Sequence, residues 1–232
     1  MKYWVKIIER KIIMSKKNKK SKNDKISMKK RYKIPLIIIF ILLVGCVSLL
    51  VIKHFFFNNN RKPSVVSSVV DSIEKYGYTL SNQDGELFKE KYYELKDILN
   101  SDEIDYDKYS ETLCEMFIID LYTISTKINK YDVGGYEYVY ENEQEMFKGK
   151  VIDTLYESVE DNSYGDRKQQ LPTVKDITLK NSEKITYTVD DKKLKGTKYE
   201  YTVDYEKDLG YAKKMTITTV NDDNKIYIVE FL

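Results

Sequence analysis

Residues 34–52, IPLIIIFILLVGCVSLLVI, run nineteen positions without a charge, and no other feature narrows the fold of this chain as much. A helix rises about 1.5 Å per residue, so about 20 such residues match a hydrocarbon core roughly 30 Å thick. In lipid every backbone polar group must be satisfied within the segment, which a helix achieves. Lys29, Lys30, Arg31 and Lys33 precede the run, and only Lys53, Arg61 and Lys62 follow it closely. That bias predicts a transmembrane helix over 34–53 with its N-terminus in the cytoplasm and the chain outside from residue 54 onward. Phe55, Phe56 and Phe57 then suit the outer interface.

Two other exports compete with an uncleaved anchor. A signal peptide needs a short apolar core and a small-residue exit, whereas this run ends in Leu50, Val51 and Ile52. Leu43-Val44-Gly45-Cys46 resembles a bacterial lipobox, but apolar and small residues continue past Cys46 where a mature lipoprotein turns polar. Met14 and Met28 are alternative starts. If residues 1–14 are translated, Trp4, Val5, Ile8 and Ile12 with Lys6, Arg10 and Lys11 form a basic amphipathic surface for the inner leaflet.

Charge is segregated along the chain. Residues 1–33 carry 14 Lys/Arg against Glu9 and Asp24, a tail of +12. Taking 14 from 39 basic and 2 from 37 acidic residues leaves 25 and 35, so the remainder is −10. The asymmetry points to two compartments and a tail drawn to anionic lipid, and it speaks against a nucleic-acid-binding body. Cys46 and Cys114 sit in unlike segments, which excludes a disulfide framework and a Cys/His metal set. No N-x-Ser/Thr acceptor occurs. An exported domain of this kind, rich in Lys, Asn, Ile and Tyr, fits a low-GC Gram-positive cell envelope.

Asn58-Asn59-Asn60 through Pro63 reads as a linker over 54–63, followed by one folded domain over 64–232. Val65, Val66, Val69, Val70 and Ile73 recur at helical spacing and predict a helix over 64–76, capped by Ser64 and stopped by Gly77. A second helix is expected over 84–99. A third, over 105–129, carries the stripe Leu113, Phe117, Leu121, Ile124 and Ile128. Gly134-Gly135 breaks the chain, Tyr136–Tyr140 alternates like a short strand, and Phe147, Val151, Leu155 and Val159 predict a helix over 143–160. After Gly165 the period becomes two, at Val174–Leu179, Ile185–Val189, Tyr199–Tyr205, Met215–Thr219 and Tyr227–Phe231. Turn clusters at Asp190-Asp191-Lys192, Asp208-Leu209-Gly210 and Asn221–Asn224 join these runs as antiparallel hairpins. Helices followed by a meander give an α+β domain, with helices packed on a curved antiparallel sheet.

That order of helices, a Gly-broken short strand, another helix and a closing meander resembles the cystatin-like cone shared by nuclear transport factor and ketosteroid isomerase. The whole layout is similar to bitopic assembly subunits of type IV secretion and conjugation machines. Phe117-Ile118-Ile119-Asp120-Leu121-Tyr122-Thr123 with Gly134-Gly135 resembles a pattern in membrane proteins of low-GC Gram-positive bacteria. The resemblance implies a cone and transfers no residue role, since cones serve enzymes, binders and scaffolds alike.

Candidate chemistry is sparse. His54 is the single histidine and abuts the apolar run, so a nucleophilic triad in the outer domain lacks its base and no catalytic residue is expected. Asp120 interrupts an apolar helix, where a carboxylate is costly unless paired; it is either a structural hydrogen-bonding group or a base with raised pKa. Tyr122, Tyr199, Tyr201 and Tyr205 are expected near a pocket mouth or partner surface, against the plainer reading as strand formers. Arg167, in Tyr164–Gln170, suits a ligand-facing loop or a solvated connection. No cofactor or metal is expected. The leading expectation is a non-enzymatic interaction or scaffold module that binds other envelope proteins or itself. The alternative is a small-molecule- or lipid-binding cone with weak enzymatic activity. A pocket containing Asp120 favours the binder, and an exposed tyrosine face favours the interaction module.

Overall fold

The computed structural model describes residues 30–52, 64–189 and 191–232, with the side chains of residues 30–34, 36, 50 and 52 outside that description. The basic tail to residue 29, His54, Phe55 to Phe57, the linker and Asp190 lie outside the described residues. The chain divides into two units, Met1–Arg61 and Lys62–Leu232.

In the first unit, α1 (Lys30–Ile52) is one helix of 23 residues. It has no apolar stripe; Phe40, Leu42, Leu43 and Leu49, on different sides, are all exposed. Ser48 Oγ donates to the Gly45 carbonyl at 2.8 Å, which satisfies its hydroxyl inside the helix. Among the described residues no helix is long and apolar enough to cross a membrane. The described side chains of α1 are those of Pro35, residues 37–49 and Val51, fewer than the about 20 a crossing takes.

The second unit opens with a correction. Residues 64–76 are not helical: β1 (Val69–Ile73) and β2 (Tyr78–Ser81) form an antiparallel hairpin. β-Branched residues serve a pleated strand better than a helix. Of the residues whose spacing suggested a helix, Val66, Val69 and Val70 are exposed and Ile73 is buried, with Tyr78 and Leu80 buried beside it. Gly77, at φ +76°, supplies the left-handed step of the turn rather than a helix stop.

α2 (Glu86–Leu99) buries Phe88, Tyr92, Leu95 and Leu99. α3 (Tyr106–Tyr122) is capped by Asp105, whose side chain accepts from the Asp107 and Lys108 amides at 3.1 Å. It stops seven residues before the expected end. Thr123 turns the chain, Ile124–Thr126 forms a 3₁₀ turn, and tertiary partners take over: Ser125 N donates to Pro172 O and Val174 N to Thr123 Oγ1. The expected strand 136–140 is a 3₁₀ turn at Tyr136–Tyr138, and only Val139 bridges the sheet, in parallel to Ile228. α4 (Gln144–Asp153) is shorter than expected, because Tyr156 turns inward to donate its hydroxyl to Leu121 O at 2.8 Å.

The α+β class is as expected. β3 (Val174–Val189), β4 (Lys192–Tyr205), β5 (Lys214–Asp222) and β6 (Lys225–Phe231) form an antiparallel meander in chain order. The two period-two runs before residue 190 are a single strand, bulged between Leu179 and Asn181. Asp223 and Asn224 both take positive φ at the β5–β6 turn, as short polar side chains tolerate. Along β4, Thr197, Tyr199, Tyr201 and Val203 point inward while Lys198, Glu200 and Asp204 face solvent. Leu113, Phe117, Ile118 and Leu121 of α3 share one core with Tyr199, Tyr201, Met215, Ile217, Ile226 and Ile228.

Candidate functional site

The glycine pair places the site. A Cβ at Gly134 would lie 2.1 Å from the Asp120 carbonyl oxygen, and one at Gly135 would lie 2.7 Å from the Phe117 ring. Gly135 also needs φ +77°. Only glycine lets this turn lie against the C-terminal half of α3, and there Gly135 N donates to Asp120 Oδ2 at 2.6 Å. Lys127 Nζ forms an ion pair with Asp120 Oδ1. Both carboxylate oxygens of Asp120 are thus engaged, which leaves no lone oxygen arranged as a base.

Burial alone would push the Lys127 ammonium down; the charges of Asp120 and Asp132 and the Asp120 hydrogen bond overcome it and hold the group above its ordinary value. Arg167 stands behind this lysine. Its guanidinium donates to the Lys127, Ser125 and Glu160 carbonyls at 2.9, 2.8 and 3.2 Å, so it ties the 125–127 turn to Glu160.

The same turn carries Glu137, whose oxygens accept from Thr79 N and Thr79 Oγ1, both at 3.0 Å. Burial pushes this carboxyl up to about 7, with Asp120 adding to the rise and the Thr79 bonds opposing it. Asp84, in the β2–α2 connection, accepts from Ser81 N at 2.6 Å, and burial raises it as well. Asp132 accepts from Ile128 N at 2.8 Å.

Two cavities meet at Asp84, Phe88 and Asp120. The larger, about 320 Å³, is lined by the start of α2, by Thr123, Thr126 and Thr173, and by Lys175 and Glu206. Gly85, which caps α2 without a side-chain hydrogen bond, lines this space with Glu86, Leu87 and Phe88. The smaller, about 210 Å³, holds Ser67, Thr79, Lys127, Asp132, Tyr136 and Glu137. Together they make a cleft with more carboxylates than cations. Among the described residues no group of His, Cys, Asp or Glu is arranged to hold a metal ion.

Of the residues expected at a site, the structure brings only Asp120 to this cleft, with Arg167 supporting it through Lys127. The tyrosine expectation needs correction. Tyr199 and Tyr201 are 3% and 1% exposed, stacked in the core with ring centroids 6.0 Å apart. Tyr205 is half-buried and donates to Ala212 O at 2.8 Å, and Tyr122 is half-buried at the end of α3. The side of β4 that carries Tyr199, Tyr201 and Tyr205 is the one the helices cover. Glu137, Asp84, Lys127 and Thr79 were not singled out by sequence reasoning. The available signal was the adjacent glycines flanked by Asp132 and Glu137, since a glycine pair marks a close approach and carries its neighbours with it. No family model, no curated protein and no solved structure matches this chain.

Proposed function

We propose that the chain is a membrane-anchored extracytoplasmic ligand-binding protein, with α1 as the anchor and the Asp84–Asp120–Glu137 cleft as the site for a small, positively charged organic ligand. One observation carries the reading: a cleft lined by several carboxylates opens beside Asp120 while Tyr199 and Tyr201, the expected partner surface, are buried. Concave sites with a few fixed polar groups are where small ligands bind, and an excess of carboxylates favours a cation. Anchoring is supported by the uncharged run 34–52 and the basic residues before it. Beyond the β1–β2 hairpin, helices followed by a bulged four-stranded meander also fit the cystatin-like cone, which is part of the proposal. The Asp120 ion pair favours binding over isomerase-type proton abstraction.

A second reading, an interaction module within an envelope assembly, is favoured by a different surface. On the sheet face away from the helices, Tyr140, Tyr187 and Tyr227 are half-buried around Val189, Leu194 and Val220, and β3 is a long outer strand. Lys175, Lys180 and Lys184 charge that edge, as edges that avoid pairing do.

Mass spectrometry of the full chain, purified in mild detergent and then denatured, separates the two. A small cation released at about one per chain is expected for the binder. Release of nothing, with a stoichiometric protein partner instead, would support the second reading.

A further inference from the structure

The domain leaves several large apolar side chains uncovered on and beside its first segment. Val66, Val69, Val70, Tyr131 and Tyr164 are each 55–63% exposed. Backbone bonds hold the segments that carry them side by side: Val65 N donates to Ser163 O and Asn162 N to Ile128 O, both at 2.7 Å. A Cβ at Gly165 would lie 3.5 Å from Val65 Cγ2, which keeps the Tyr164 turn against the same strand. β1 carries the apolar surface on from Val66 to Val69 and Val70. Apolar groups scattered singly need no explanation, but a run of them on adjoining segments marks an interaction surface.

We propose that this surface rests on the membrane that anchors the chain, with the valines at the acyl boundary and the two tyrosine rings among the headgroups. The inference rests on the membrane-anchored part of the reading above and is independent of the ligand assigned to the cleft.

Three features favour lipid over a protein partner. The first is backbone chemistry. Asn82 Oδ1 accepts from Ser68 N at 2.9 Å, Asn82 Nδ2 donates to Val66 O at 3.2 Å, and the Asn82 amide donates to Ser68 O at 3.0 Å. With Val65 N also bonded, these groups need no water, which suits a surface where water is scarce. The second is side-chain type. Tyrosine combines an apolar ring with a polar tip and concentrates at membrane interfaces. Lys130 Nζ stands 5.2 Å from the centre of the Tyr131 ring and brings a cation to the level of lipid phosphates. The third is chain length. Only twelve residues, 53–64, separate Val65 from the apolar run, and Arg61 and Lys62 are among them. Their contour is about 45 Å at full extension, so the lipid surface is the one this patch meets at the highest effective concentration.

The test uses the full chain reconstituted in vesicles of phosphatidylcholine and phosphatidylglycerol. With Cys46 replaced by Ala and Cys114 fully buried, a nitroxide is attached at Val66→Cys, at Val70→Cys or at the exposed Ser182→Cys on β3. Electron paramagnetic resonance gives the ratio of collisions with oxygen, which favours lipid, to collisions with a water-soluble nickel chelate. The ratio is expected to be at least about threefold higher at residues 66 and 70 than at 182. Tyr131→Ser combined with Tyr164→Ser, both exposed positions, is expected to bring it down toward the value at 182. Equal ratios at the three sites, on a chain that floats with the vesicles, would overturn the docking and leave the anchor standing. Dipolar broadening between labels at residue 66 would assign the face to a second copy and overturn the docking as well. A chain that does not float with the vesicles would remove the anchor, and the docking with it.

Discussion

Lys127 and Asp120 are the residue pair on which the cleft depends. Their side chains are 9% and 17% exposed, so neither charge has water enough to stand alone. Removing one member of such a pair leaves a buried uncompensated charge. Lys127→Met is therefore expected to cost about 3–5 kcal/mol in urea denaturation, and Asp120→Asn added to it is expected to recover much of that loss. A single-variant loss below about 1 kcal/mol would place the pair among weak surface contacts. At this scale the sequence was partly legible. A carboxylate within Phe117-Ile118-Ile119-Asp120 demanded a partner, but nothing local named Lys127, which becomes adjacent only because α3 ends at Tyr122. Glu137, Asp84 and Thr79 come from three further segments, and no spacing rule joins them.

Elements were legible where one periodicity had no competitor. The alternation of β4 and the Leu113, Phe117 and Leu121 part of the α3 stripe each have a single reading, and both are observed. The valines of 65–73 fit helical spacing and strand propensity equally, and the choice fell to packing: Tyr78 and Leu80 turn inward from a hairpin. The ends of α3 and α4 were overextended because Ile124, Leu155 and Val159 continue an apolar pattern that turns, rather than helix, bring to the core. For α1 the element-scale prediction is topological. Ser182 is exposed on β3. With Cys46 replaced by Ala, Ser182→Cys is expected to react with a membrane-impermeant maleimide on intact cells, whereas Ser21→Cys is expected to react only after permeabilisation. Labelling of Ser182→Cys only after permeabilisation would reverse the orientation.

At the scale of the whole molecule, the sheet-and-helix domain buries Tyr199 and Tyr201 in its core and leaves an acidic cleft beside α2 and α3. The α+β class followed from the order of periodicities. The cleft did not, because a cavity is a property of how layers meet. If the cleft is the working part, occupancy stabilises the folded state in proportion to RT ln(1 + [L]/Kd). The most direct measurement is thermal denaturation of the full chain in detergent, titrated with a panel of small organic cations. The account predicts that at least one cation raises Tm by several degrees and that Asp84→Asn, which removes a cleft carboxylate, abolishes the shift. A Tm unmoved by every cation, or a shift that persists in Asp84→Asn, would contradict it.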